Sequence, residues 1–255
     1  MRALITIYRR EMGAYFHSPI AYVLIVGYLA LSGYFFYSGV AIYSMASLQA
    51  MQNPLFMKIN LTQMLVAPLL TNYAVFFLFA VPLLTMRLLS EERKTGTIEL
   101  LLSYPVTDTS VILAKFLAAW TMVTLILALT WVSMGLLFWL GRPHLPAMLS
   151  GYLGLWLMGG CFVAFGLLCS AATENQIVAA VACFFGLLFT WALGWSSEVV
   201  GKDLGELLQN LSIVSHFERM PKGLIDTADL AYFVLFMGFF LFASIRTLEA
   251  KRWKG

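Results

Sequence analysis

The sequence predicts an all-α membrane protein with six transmembrane helices, and three observations carry that prediction. Of its 255 residues, 61% are hydrophobic and only 11% are charged, against about 25% charged in a soluble domain. Six runs stay apolar for about 20 residues, the helix length needed to cross a hydrocarbon core of about 30 Å. The charges lie between those runs or at their ends. No stretch reads as an independent soluble core, so residues 1–255 form one membrane domain.

The net charge of +3 is too small, and the basic residues too scattered, to indicate nucleic acid. Cys161, Cys169 and Cys183 all fall inside apolar runs, where thiols act as inert packing groups, so neither a disulfide nor a metal site is expected.

Residues 1–17, MRALITIYRREMGAYFH, do not span. Leu4, Tyr8, Met12 and Tyr15 share one helical face, while Arg2, Thr6, Arg9 and Gly13 lie elsewhere. A basic amphipathic helix beside a span lies in the membrane interface. It serves there as an anchor to anionic lipid or as a brace for a cytoplasmic partner, and the cationic face suits both. These amphipathic residues precede the first long apolar run, which argues against a cleaved signal.

The spans cover 19–40, 64–88, 109–140, 146–172, 176–197 and 228–248. The first opens on Ser18-Pro19, a cap followed by a proline where the missing N–H costs nothing. The second contains Pro68 and Pro82, read as bends rather than as a hinge. The third opens behind the capping residues Thr107, Asp108 and Thr109. The fourth is rich in small residues, and its Gly160 and Ala164 form a small-xxx-small pair that permits close helix approach. ATENQ joins the fourth and fifth as a tight polar turn. With the N-terminus in the cytoplasm, eleven Lys and Arg face inward and five outward. That bias places both termini in the cytoplasm.

Residues 198–227 form an extracytoplasmic segment, too polar to span and too apolar for an ordinary loop. Leu204, Leu207, Leu208, Leu211 and Val214 recur at helical spacing, so a short helix is expected, dipping into the outer leaflet or capping the spans, before a turn at Pro221 and Gly223. His216 reads as a hydrogen-bonded structural histidine rather than a ligand, since no partner at metal-site spacing accompanies it.

The densest charge cluster, residues 89–105, faces the cytoplasm. Ser90 reads as a helix cap with Glu91 and Glu92 in the first turn. Gly96 interrupts, Thr97 caps a second short helix carrying Glu99, and Pro105 stops it. Ile98, Leu101 and Leu102 line one face of that helix. Arg93 and Lys94 suffice to set topology, but the acids and leucines do not serve that purpose. An apolar face beside charges suits a protein groove, so the segment is expected to dock on a partner. Arg87 and Lys115, at the inner ends of two spans, are expected to snorkel to the headgroups. A charged inner gate, or a salt bridge to Glu91 or Glu92, is the functional alternative.

EERKTGTIELLLSYPVTDTSVILAKFLA resembles the first cytoplasmic loop of ABC-2 type transporter permeases, where an E-E-R-x-x-G-T-x-E-x-L-L-x-x-P-V pattern forms the coupling helix. RREMGAYFHSPIAYV is similar to that family's entrance helix, and SAATENQIVAAV to its fourth-to-fifth turn. LSIVSHFERMPKGLIDTADLAYF, with His216, Phe217, Gly223 and Asp226, resembles its outer segment, closest to the gliding-motility and sodium-export subgroup. Met220-Pro221-Lys222 departs from the pattern, which has an arginine next to the glycine. The resemblance implies the ABC-2 exporter fold and the permease subunit of an ATP-driven exporter. It would pair with a second permease subunit, identical or related, and dock on two copies of a cytoplasmic ABC ATPase in the inner membrane. Glu91, Glu92, Arg93, Gly96, Thr97, Ile98, Glu99, Leu101, Leu102 and Pro105 would carry the coupling, and the second and third spans would tilt with that lever. No phosphate-binding G-x-x-x-x-G-K-[ST] loop occurs in the sequence. The chain is therefore expected to bind no cofactor and to catalyse no reaction, with ATP and Mg held by the partner.

Candidate pathway residues are Asn72, Tyr73, Thr121 and Thr124, with Thr85, Thr130, Ser133 and Thr190 behind them, although most polar groups in spans bond a neighbouring helix. The absence of charge from span interiors favours an amphiphilic cargo over a bare ion, while the sodium-export likeness points the other way. A complex that uses the stroke mechanically, without solute, stays open. An ATP-independent transporter usually places ionisable groups near the bilayer midplane, and this sequence has none in a span interior. A glutamate-dependent intramembrane protease needs E-E-x-x-x-R, and position 96 is glycine.

Overall fold

The computed structural model describes residues 2–52, 61–97, 106–141, 143–196 and 201–252, and among them the chain is helical throughout with no strand. Helix α1 runs Arg2–His17 and α2 Pro19–Gln52. A π-helical turn, Thr62–Val66, leads into α3, Ala67–Thr85, and the short α4 covers Ser90–Lys94. Then follow α5 (Asp108–Leu140), α6 (Leu145–Ala172), α7 (Gln176–Ser196), α8 (Lys202–Leu211), α9 (Ile213–Phe217) and α10 (Thr227–Arg252). Six of these segments are long and apolar enough to cross a membrane.

Helix α2 exceeds the span read from its apolar run. Its 34 residues make about 50 Å of helix, more than the hydrocarbon core requires. The stretch beyond residue 40, AIYSMASLQAMQ, contains good helix formers and continues the helix without being needed to span.

The two prolines of the second span act differently. Pro68 cannot donate back one turn, and just before it the ladder widens, with the Ala67 N–H bonding the Thr62 carbonyl five residues back. Pro82 sits inside α3, and its carbonyl accepts from Met86 N (2.9 Å) where the helix gives way to a turn.

The core is built around α6, which packs on α3, α5, α7 and α10. In its most apolar window 72% of residues are buried, against 17% in α2. Small residues make this possible. Gly160 sits against Trp120 and Met237, and at Gly166 a Cβ would overlap the Thr85 hydroxyl. The α4 end of the bundle gathers α1, the close of α3 and the α6–α7 turn, with Tyr15 OH donating to Leu84 O (3.1 Å). At the opposite end His144 N donates to Thr62 Oγ1 (3.1 Å), and Ser150 Oγ donates to Met220 O (2.6 Å).

The 198–227 segment divides at that opposite end. Leu204, Leu207 and Leu211 on α8 are exposed, whereas Val214 lies on the separate helix α9 and is buried with Ile213 and Phe217. The single leucine-valine face expected from spacing is therefore broken at Ser212, whose extended backbone ends α8. Gly223, with φ of 88°, makes the left-handed turn after Met220–Lys222.

Gly166→Ala is predicted to lower stability by about 1–3 kcal/mol, because the methyl meets a buried neighbour. Gly238→Ala, which faces open space, should stay within about 1 kcal/mol of the parent. Thermal unfolding of the two purified variants in detergent checks the contrast, and equal midpoints would contradict it.

Candidate functional site

The charged cluster builds its site around α4. Ser90 does not cap this helix as its position suggested. The residue before the first turn is Leu89, which offers no side-chain bond, and the Ser90 hydroxyl turns back to the Met86 carbonyl. The cap comes from another span. Ser170 Oγ, near the end of α6, accepts from Leu89 N (3.0 Å) and Ser90 N (3.1 Å) and donates to Met86 O (3.1 Å). Arg93 Nη1 then donates to Ala171 O (2.6 Å), one residue further along α6. At the other end of α4, the Thr95 hydroxyl donates to Glu91 O (2.9 Å) and the Thr97 hydroxyl to Glu92 O (3.3 Å). Gly96 between them has φ of 70°. Ile98, Glu99, Leu101, Leu102 and Pro105 lie outside the described residues.

Beneath α4 lies a buried ionic network. Lys115, on the first turns of α5, is 1% exposed. Its ammonium donates to Glu11 Oε1 of α1 (2.7 Å) and pairs with Glu92 Oε1 of α4 (3.1 Å). Arg10 approaches the same Glu92 oxygen at 3.6 Å. Snorkelling is thus replaced for Lys115, whose amine is held inside the protein between two carboxylates. An ammonium removed from water needs paired charge and hydrogen bonds, and it has both here. Arg87 takes a different course and pairs with neither glutamate. It donates to Ser18 Oγ (2.7 Å) and Ala14 O (3.4 Å) and lies over the Tyr15 ring, 5.3 Å from its centre. Burial pushes the Tyr15 phenol far above its ordinary value, Glu11 adds to the shift and Arg87 opposes it, so this hydroxyl stays a neutral donor. A cavity of about 260 Å³ opens between α1, α4 and α5, lined by Arg10, Glu11, Arg87, Glu91, Glu92 and Lys115 among others.

Glu11 and Ser170 were not singled out by sequence. Glu11 carries a signal, since it falls between Tyr8, Met12 and Tyr15 on the apolar face of α1, an odd place for an acid. Ser170 carries none, because a serine near the end of an apolar helix is ordinary.

The pathway candidates separate. Tyr73 is fully buried and accepts from Ser32 Oγ (2.6 Å). Thr121 accepts from Tyr8 OH (3.1 Å), and Thr124 accepts from the Trp156 indole (2.9 Å). These three are engaged in helix–helix bonding. Asn72 lines a groove of about 280 Å³ between α2 and α3, beside Ser38, Leu65 and Pro68. At the opposite end His216 Nδ1 lies 2.6 Å from Asp229 Oδ1, and Nε2 lies 3.1 Å from Asn210 O. Its ring stacks on Tyr232 with centres 4.1 Å apart. Phe217 is buried beside it, and Asp226 Oδ1 accepts from Ala228 N (3.1 Å) at the start of α10.

Lys115→Met is predicted to cost about 3–5 kcal/mol, because Glu11 would lose its ion-pair partner and Glu92 would keep only the more distant, exposed Arg10. Adding Glu11→Gln and Glu92→Gln should recover much of the loss. Thermal unfolding of the single and triple variants measures both, and an unchanged midpoint for Lys115→Met would rule out a stabilising network.

No curated protein matches the chain. A family model described as "ABC-2 family transporter protein" matches residues 6–245, which takes in α1, the α4 end and most of the last span. With six helices of membrane-crossing length in the same stretch, the chain belongs to the ABC-2 transporter family, as a multi-pass membrane permease component.

Proposed function

We propose that the chain is the permease subunit of an ATP-driven ABC-2 exporter, and that residues 89–105 are its coupling segment. A cytoplasmic ABC ATPase would grip that segment, two copies of it serving a pair of permease subunits and holding ATP and Mg. Both termini and α4 then face the cytoplasm, and the protein sits in the inner membrane with α1 along the lipid interface.

The observation that carries this reading is the way α4 is held. Glu91, Lys94, Thr95 and Gly96 are exposed, so one side of the segment is open to a partner. Its other side is fastened by buried contacts to α6 through Ser170 and Ala171, and to α5 and α1 through Glu92. A loop that served topology alone would need no such anchorage. A segment that is open outward and bonded inward can pass a push from the solvent side to the spans. Closure of the ATPase pair would supply the push.

Glu91 is the suitable probe. It is exposed and has no ion-pair partner among the described residues, whereas reversal of Glu92 would also place a like charge against Lys115. Glu91→Lys together with Leu101→Ser and Leu102→Ser should cut co-purification of the ATPase, and the permease-dependent part of its ATP hydrolysis, by about tenfold or more. Expression and thermal stability of the permease should stay near the parent. Full ATPase binding and hydrolysis with this variant would remove the coupling role.

A further inference from the structure

We infer that Ser170 is a positioning residue that locks α4 to the end of α6, so that the stroke enters the bundle through the fourth span. The inference rests on the coupling reading above and goes beyond it. Chain connectivity suggests that the second and third spans, which flank the segment, act as the lever arms. The hydrogen bonds assign that role differently.

Every helix begins with backbone N–H groups that its own turns cannot satisfy. In a helix of five residues they are a large share of the whole. At α4 the local sequence supplies no acceptor, since Leu89 is apolar and Ser90 is turned away. The donors of Leu89 and Ser90 are met by Ser170 alone, and that residue is itself fully buried. With two bonds accepted and one donated to Met86 O, the Ser170 hydroxyl uses its full bonding capacity. The exchange is reciprocal. A terminal carbonyl of α6, at Ala171, takes its donor from Arg93 of α4, where helix ends leave acceptors without partners. One turn earlier, Gly166 is seated against Thr85, so the end of α3 is also held against α6.

Sliding α4 along α6 would therefore break the buried bonds from Leu89 and Ser90 to Ser170 together. The link to α5 is of another kind. It runs through the Lys115–Glu92 ion pair, and the long lysine side chain can follow a displacement while keeping its charge paired. Thus α4, the end of α3 and the end of α6 move as one piece, and α5 shifts against it. Because α6 packs on α3, α5, α7 and α10, displacing it reaches the whole core.

Hydrogen–deuterium exchange on the ATPase–permease complex in lipid nanodiscs tests this, with Ser170→Ala and Ser170→Thr beside the parent. In the parent, ATP with vanadate should change exchange in both 86–94 and 158–172. In Ser170→Ala the ATPase should still bind and 86–94 should still respond, while the response of 158–172 is lost. The Leu89 and Ser90 amides should also exchange about tenfold faster, and Ser170→Thr should restore both properties. An unchanged response of 158–172 in Ser170→Ala would overturn the assignment, as would a parent in which 86–94 responds and 158–172 does not. Failure of the ATPase to bind the parent, or of 86–94 to respond in it, would instead sink the coupling reading, and this inference with it.

Discussion

A five-residue helix cannot satisfy its own backbone, and the α4 end of the molecule is organised around that constraint. With no side-chain cap from Leu89 and the Ser90 hydroxyl committed to Met86, the leading donors of α4 need an acceptor from elsewhere in the fold. Ser170 provides it from the most buried helix of the bundle. The position of the charged segment is therefore set by the core and not by the loop that contains it. Groups that are costly to leave unbonded away from water make the arrangement specific as well as stable.

The same logic extends to the charges. A buried ammonium between two carboxylates has little net stabilising value compared with apolar packing, because desolvation opposes the attraction. It is nevertheless specific, since removing Lys115 takes the shared partner from two largely buried carboxylates. Lys115 thereby joins three segments that no backbone connection brings together: α1, α4 and α5. In this family setting the arrangement links α1 and α5 to the segment proposed to meet the ATPase. The bonds from α4 to Ser170 join backbone N–H groups to a short buried hydroxyl, whereas the link to α5 runs through a long flexible side chain. The end of the bundle thus has a stiff side and a compliant one.

At the opposite end the chain is closed by packing. Met220, Phe217 and Ile213 are buried against the small residues of α6, and His216 bridges Asn210 and Asp229 while stacked on Tyr232. The α8 leucines left exposed there suit a lipid environment and mark that rim as a surface rather than a core. Of the pathway candidates, Asn72 lines a groove between the loosely packed α2 and the π-helical start of the second span.

The sequence by itself determined the class of the molecule. Apolar runs long enough to cross a bilayer, an amphipathic first helix and a dense interruption at 89–105 are all local patterns, and local patterns survive in one dimension. The family likeness was legible for the same reason, because the E-E-R-x-x-G-T motif is contiguous. What only the tertiary structure decided was who bonds whom. Ser90 looked like a cap and is not one, Lys115 looked like a snorkelling cation and is buried, and Tyr73, Thr121 and Thr124 are occupied by neighbouring helices. Each of these outcomes concerns a hydrogen-bonding group whose partner lies far off in the sequence, up to 113 positions away, or is displaced by one that does. Polar groups inside a bilayer take whatever donor or acceptor the helix packing brings within reach, and that choice is made in three dimensions.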